Sequence, residues 1–437
     1  MNIERLSAWE RFLKREPIRD NREWQRPVGR SPTFVTAAPG LGSSSDSQST
    51  VRVKVAEAVE SAPMSAAVAV APAAMITVRL KSLDVLRGLV VVGMIVVNAM
   101  TYSSQTYGLA AFGFLMHSRW AGFTFADFVF PAFIFMAGVS VAASLHKTKA
   151  TGVAPLSRIS ARTLRLLVLG FFIANIPWAI PVGDWRWLGV LQRIGLCYFA
   201  AAFLFALTSW RTRAWIAAIV LLLYWPLATL PMPDGGAVDL WKPGANFVSW
   251  VDRTVMGTHA FAMGAAGYDP EGLLSTLPAI AQCLLGTLVG EWLLAHRHSD
   301  AAMGQLAVAG AIAVCLGLVW SPFFPIVKNI WTSSYVLLST GLATILLAAF
   351  VRLLDQKRAS LWGLTFFEAF GINAIVAYVL HELAQFIPGS DGMHSLSVAG
   401  SNSGLSVATA LFPIAVFIAV LWLPLEIMRR KRWIVKI

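Results

Sequence analysis

From Leu80 onward, apolar segments recur at lengths that suit a hydrocarbon core roughly 30 Å thick. Ten are expected, at about 83–101, 124–145, 163–181, 187–208, 214–231, 273–294, 303–321, 332–351, 361–387 and 405–426. Short polar stretches rich in Gly, Pro, Lys and Arg separate them. This pattern predicts an all-α, polytopic integral membrane helical bundle of about ten transmembrane helices. One connection is long, at about 232–272, and carries "DRTVMG" and "GYDPEG". The first 75 residues break the pattern. "MNIERLSAWERFLKREPIRDNREWQRPVGR" is charged and aperiodic, "SSSDSQST" is low in complexity, and "SAPMSAAVAVAPAA" is small and interrupted by proline. They are expected as a disordered cytoplasmic extension, or as residues ahead of the true start. The domain is expected over 76–437.

The placement of Lys and Arg orients the spans. With the N-terminus inside, the inner connections hold Lys147, Lys149, Arg158, Arg162, Arg211, Arg213, Arg297, Arg352, Lys357, Arg358 and the closing "RRKR". The outer ones hold Arg119, Arg186, Lys242, Arg253 and Lys328. The bias keeps one sign along the chain, so both termini are expected in the cytoplasm and loop 232–272 outside.

Composition agrees with this reading. The chain has 437 residues, 57% hydrophobic and 13% charged, against about 25% charged in soluble domains. The net charge of +12 raises a nucleic-acid reading, but the basic residues lie in short loops between apolar segments. Topology accounts for them, and no nucleic-acid partner is expected. Cys197, Cys283 and Cys315 sit inside apolar runs without metal or redox spacing. They are expected as packing residues, with no metal.

Polar groups inside spans are costly and mark function when they cluster. The stretch "FLMHSRWAGFTFADFVFPAFIFMAG" puts His117, Trp120 and Asp127 at a helix mouth. A histidine there can exchange a proton or act as a nucleophile. Asp127 could orient it or cap the helix. In the first helix Ser82 suits an N-cap, Asp84 and Arg87 can pair, and Asn98 lies near the outer end, where its amide needs a partner. "GVLQRIGLCY" puts Gln192 and Arg193 just inside the fourth helix. "GYDPEGLLSTL" puts Asp269 and Glu271 at the start of the sixth, where capping is an equal reading. "KNIWTSSYVL" gives Lys328 and Asn329 at the mouth of the eighth. The ninth is the most polar: Glu368, Asn373, His381, Glu382 and Gln385 cannot all face lipid. Most of these groups fall toward one outward-facing end, as a ligand-filled cavity would require.

At these residues the chain resembles the heparan-α-glucosaminide N-acetyltransferase family. The likeness runs through "RLKSLDVLRGL…VVN", "HSRWAGFTFADFVFPAFIFMAG", "GVLQRIGLCYF", "DRTVMG", "GYDPEGLLSTL", "KNIWTSSYVL" and "GINAIVAYVLHEL", in order over about 80–430. The resemblance implies a transmembrane acetyltransferase that carries acetyl from cytosolic acetyl-CoA to an amino sugar across the membrane. For bacterial members it implies a multi-pass protein of the inner membrane. It implies that His117 is the active histidine and that Asn98 matches the family's asparagine at the outer end of the preceding helix; Asp127 is expected to join them from its place one turn inside the second helix. Trp120, Arg193, Asp269, Glu271, His381 and Glu382 are expected around the acceptor. Arg87, Gln192, Lys328 and Asn329 are expected along the path of acetyl-CoA. Membrane lipid and the amino-sugar substrate are the expected partners, and a homodimer stays open. The sequence departs from the pattern in its longer Asn98–His117 spacing and in Ala121, where the family has asparagine between Trp120 and Gly122. The large extracytoplasmic domain and leading span of the lysosomal enzyme have no counterpart in these residues. A transporter for amino sugars is the rival reading, since proline and glycine breaks in spans also suit transport. A membrane scaffold is the third.

Overall fold

The structure is a computed structural model that describes residues 80–107, 113–150, 154–176, 181–261, 267–357, 363–384 and 407–435. The extension expected at 1–75, and Gln385, lie outside them. All the described residues belong to one compact unit, the one that holds Val78–Ile437.

Twelve α-helices occur among the described residues: α1 (Lys81–Tyr107), α2 (Phe125–Ala150), α3 (Leu156–Ala174), α4 (Val190–Leu207), α5 (Trp210–Ala228), α6 (Phe247–Met256), α7 (Thr276–His296), α8 (Asp300–Trp320), α9 (Ser333–Phe350), α10 (Leu364–Ile372), α11 (Ala374–Ala384) and α12 (Val407–Arg430). No strand occurs among them beyond a lone bridge between Ala121 and Val327. The described residues are therefore all-α. Six helices, α1, α2, α4, α7, α8 and α9, are long and apolar enough to cross a membrane. Helices α10 and α11 make a seventh if taken as one broken span, bent by 86°. The other three expected segments fall on α3, α5 and α12. Helix α3 starts at Leu156, ahead of the expected 163, and carries Arg158, Arg162 and Arg165.

Local sequence sets several helix starts. Asn246 caps α6 by accepting from Ser249 N–H at 2.9 Å, and Ser299 caps α8 from Ala302 N–H at 3.2 Å. Ser82, expected to cap α1, does not. Its hydroxyl donates to Asp355, whose carboxylate also accepts from Lys81 N–H at 3.1 Å. A distant carboxylate thus satisfies the helix start, which Ser82, already inside the helix, could not do itself. Asp269 and Glu271 also differ from expectation. Helix α7 starts only at Thr276, so both sit in the turn before it.

Small residues let the central helices touch backbone to backbone. A Cβ on Gly138 of α2 would run into the Cys283 carbonyl of α7, and one on Gly286 into the Phe135 carbonyl of α2. Cys197 and Cys283 are buried packing residues, and Cys315 is exposed on α8. The crossing of α2 and α7 holds up the site at the end of α2. Gly138→Ala is expected to lower the thermal midpoint of the detergent-solubilised protein, since overpacking costs about 1–3 kcal/mol. Gly304→Ala serves as the control, because a Cβ at Gly304 would meet nothing within 4 Å. Equal midpoints for the two variants would refute the close crossing.

Candidate active site

The loop between α1 and α2 turns on one carboxylate. Asp127 is fully buried in the first turn of α2. Its Oδ2 accepts from Ser118 N–H at 3.1 Å, Thr124 N–H at 3.2 Å and the Thr124 hydroxyl at 3.1 Å. Its Oδ1 lies 2.9 Å from His117 Nδ1. The carboxylate therefore ties the loop and orients the imidazole together. Pro131 has no N–H, which leaves the Asp127 carbonyl one turn earlier without its helical donor. Tyr335 of α9 supplies one, its hydroxyl donating to that carbonyl at 2.7 Å. The proline thereby joins α2 to α9 behind the histidine.

Lys328, in the turn before α9, lies 3.1 Å from His117 Nδ1 and 3.2 Å from Nε2. Nearly equal distances to both ring nitrogens put the ammonium against the ring, not in line with one lone pair. Burial pulls the His117 imidazole below its usual value of 6.5. The Asp127 hydrogen bond opposes this, and the Lys328 charge adds to it. Burial also lowers Lys328, with Asp127 and Glu271 working the other way. The imidazole is thus kept neutral near neutral pH, with Nδ1–H directed to Asp127 and Nε2 left as the basic atom.

His117 borders a cavity of about 140 Å³. Its polar lining comes from Asn98, His117, Glu271, Lys328, Tyr378 and Glu382, and its apolar lining from α1, α2, α4 and α11. The space is roomy enough for a ligand group, since about 10–15 Å³ of such volume already holds a water. Asn98 Nδ2 donates to His381 Nε2 at 3.1 Å, so α1 meets α11 at the cavity wall.

Glu271 reaches the cavity on a braced turn. Arg186 binds both Glu271 and Asp269, the latter at 3.2 Å. Asp269 also accepts from Phe261 N–H at 2.9 Å and Glu271 N–H at 2.8 Å. Behind the turn, Asp252 accepts from Leu273 N–H at 3.0 Å.

The expected site residues fall into two groups. His117, Asn98, Glu271, Lys328 and Glu382 line the cavity, with Asp127 and His381 bonded directly to lining groups. Lys328, expected on the path of acetyl-CoA, contacts the imidazole and lines the cavity. The others do not line it. Arg87 donates to Ser140 at 2.8 Å and to the Gly371 carbonyl at 3.2 Å and lies 3.4 Å from Asp84, tying α1, α2 and α10. Trp120 Nε1–H donates to the Leu240 carbonyl at 3.0 Å, which anchors the long loop. Arg193 is buried, donates to Ser275 and the Gly272 carbonyl, and lies over the Trp331 ring at 4.9 Å. Gln192 packs against Gly170 and Gly189. Asp269 supports Glu271, and Asn329 stands outside the lining. Sequence reasoning did not single out Tyr378, Tyr335, Arg186 as the brace, or Thr124. A hydroxyl one turn ahead of Glu382 on α11 was the readable sign for Tyr378. The partner of the Asp127 carbonyl that Pro131 leaves without a donor had no sign at all.

No three of His, Cys, Asp and Glu cluster as metal ligands among the described residues.

Residues 79–320 match the family model for the catalytic region of heparan-alpha-glucosaminide N-acetyltransferase. The chain is 28% identical over 284 residues to the mouse heparan-alpha-glucosaminide N-acetyltransferase, covering 53% of this chain and 43% of the relative. It is 29% identical over 282 residues to the human protein of that name, covering 52% and 42%. The match thus spans less than half the length of these curated relatives. The family model takes in α1 to α8, and with them His117, Asp127, Asn98 and the braced Glu271 turn. With a family model covering more than half of its residues, this chain belongs to the heparan-alpha-glucosaminide N-acetyltransferase catalytic family.

Proposed function

We propose that the chain is a transmembrane acetyltransferase. It would move acetyl from cytosolic acetyl-CoA to the amino group of a glucosamine-type acceptor at the extracytoplasmic face of a bacterial inner membrane. The observation that carries this reading is a neutral, Asp127-oriented His117 on a small cavity that also holds an amide and an ammonium.

The chemistry balances on these groups. The acceptor amine attacks the thioester carbonyl, forming the C–N bond. The C–S bond breaks, and the thiolate of CoA leaves. The proton shed by the new ammonium passes to His117 Nε2, which lies opposite the Asp127-bound nitrogen. Lys328 and Asn98 supply positive charge and an N–H donor for the developing oxyanion. In a covalent version, Nε2 takes the acetyl first and hands it to the amine. Labelled acetyl-CoA without acceptor separates the two: label retained by the protein supports the acetyl-imidazole.

Purified full-length protein with acetyl-CoA and glucosamine, followed by mass spectrometry, tests the reading. N-acetylated sugar supports it, and uptake of unchanged sugar into proteoliposomes would replace it by transport. The bend between α10 and α11, whose second arm lines the cavity, is the observation on the side of transport.

The same reading keeps all ten spans, with both termini in the cytoplasm and loop 232–272 outside. It rests on the Lys/Arg bias and on a helix under each expected segment. A reporter fused after Lys436 is expected to read cytoplasmic, and one inserted at Gly244 the opposite side. Both on one side would overturn the ten-span arrangement.

The pH dependence follows from His117. Its basic form is the neutral imidazole, and its value is lowered below 6.5. Transfer is therefore expected to hold through neutrality and to fall as pH drops through a midpoint below 6.5. An acid limb centred above 7 in the kcat/KM profile for acetyl-CoA, taken at saturating acceptor, would contradict the burial and the Lys328 contact.

A further inference from the structure

Residues 431–435 fold back onto the break between α10 and α11. Helix α12 stops at Arg430, and Arg432 takes a left-handed backbone conformation at φ 56°. Trp433 N–H then bonds the Met428 carbonyl at 2.8 Å, and Arg432 N–H the Arg429 carbonyl at 3.1 Å. This paired closure reverses the chain at a helix end, usually with glycine at the left-handed position. An arginine is strained there, and such strain persists only where the surroundings over-determine it.

The surroundings are Asn373. It is buried at the 86° break between α10 and α11. Its backbone carbonyl starts α11 by accepting from Ala377 N–H at 2.9 Å. An asparagine in that position ordinarily turns its side chain to cap the helix. Here the side chain faces the tail instead. Nδ2 donates to the Trp433 carbonyl at 3.0 Å, and Oδ1 accepts from Val435 N–H at 3.0 Å. The amide thus matches one donor and one acceptor of the tail, as a neighbouring strand would. Val435 packs into the apolar cluster that includes Ile375, Tyr378, Leu191 and Ile194, all four of which also line the cavity.

The break would otherwise be soft. Gly371 is pressed against the Asp84 carbonyl of α1, which holds the α10 arm. The α11 arm, described over Ala374–Ala384, lies beyond that hold, on the far side of the break. Yet this arm carries Ile375, Tyr378 and Glu382 into the cavity and His381 onto Asn98.

We propose that Asn373 is a positioning residue, and that the tail Trp433–Val435 is a strap which, through Asn373, holds α11 and hence the Asn98–His381 side of the cavity. The part played by Asn98 in acetyl transfer rests on the proposed function. The position of α11 does not.

The test uses full-length protein in detergent and two variants. Asn373→Ala removes both bonds from the break. Val435→Pro removes the N–H that Oδ1 accepts, together with the packing of the Val435 side chain. Hydrogen–deuterium exchange is read over 374–384 and over α2 and α7. Both variants are expected to speed exchange in 374–384 at least about tenfold, with α2 and α7 unchanged. Arg432→Gly keeps both bonds and relieves the left-handed arginine, so it is expected to leave 374–384 at the wild-type rate. In acetyl transfer, Asn373→Ala and Val435→Pro are expected to lower kcat about tenfold with KM for acetyl-CoA within about threefold. Unchanged exchange in 374–384, or equally faster exchange in α2 and α7, overturns the strap. A change in KM with kcat intact overturns the positioning role. Wild-type protein that makes no acetylated product would remove the proposed function while the exchange result still decides the strap.

Discussion

His117→Ala is expected to lower acetyl transfer at least about 100-fold while the protein inserts and folds normally. A positioned acid–base group contributes about 10²–10⁴ in rate, and 100-fold corresponds to about 2.7 kcal/mol of barrier. The fold should tolerate the change because the side chain is about a third exposed. Asp127 keeps its three bonds to Ser118 and Thr124 without it. What is lost is the neutral nitrogen on the cavity and the ring beside which Lys328 sits. The measurement is kcat/KM by mass spectrometry, alongside the thermal midpoint of each protein. Wild-type turnover in the variant would show the histidine to be a loop brace. A collapsed midpoint would show that its packing was underestimated, and His117→Gln, which keeps a hydrogen-bonding head group at the loop, would then replace it.

The helical plan was legible because lipid imposes it. A span must bury its backbone polar groups in its own hydrogen bonds, so ten apolar runs of span length read directly as helices. Each has a helix beneath it. Boundaries were less legible where distant groups set them. Asp355 caps α1 in place of Ser82, and the turn holding Asp269 and Glu271 delays α7 to Thr276. Pairing on one helix could be read from spacing, as with Asp84 and Arg87. Pairing across the bundle could not. Asn98 signalled that it needed a partner, but nothing in its own helix named His381, 283 positions away. Arg193, just inside the fourth helix, has a carbonyl, a hydroxyl and the Trp331 ring as partners, none of which its own helix names. Trp120, expected around the acceptor, gives its N–H to the Leu240 carbonyl. The site was legible as an inventory of costly groups at one end. Which of them face the cavity depends on helix rotation and loop path, which a single sequence carries only weakly.

Asp127→Asn should come close to His117→Ala in effect, although it changes one atom. Oδ2 accepts three donors from Ser118 and Thr124, and Oδ1 accepts from His117. An asparagine can satisfy the loop only by keeping its carbonyl oxygen at the Oδ2 position. Turned the other way, its NH2 would face three donors in a buried site, at about 1–3 kcal/mol for each group left without a partner. The NH2 therefore points at His117 Nδ1. That nitrogen must then accept, which moves the ring proton to Nε2, the atom that faces the chemistry. The base becomes a donor while the loop stays in place. In the serine-protease triad the corresponding exchange costs about 10⁴ in kcat through the wrong tautomer. Here a loss of about 10²–10³ is expected, with a near-native midpoint and unchanged KM for acetyl-CoA. Nitrogen-15 shifts of the His117 ring separate the causes: proton on Nδ1 in wild type, on Nε2 in Asp127→Asn. If the variant keeps more than a tenth of wild-type kcat with the ring proton moved, Nε2 is not the base, and the carboxylate only fastens the loop.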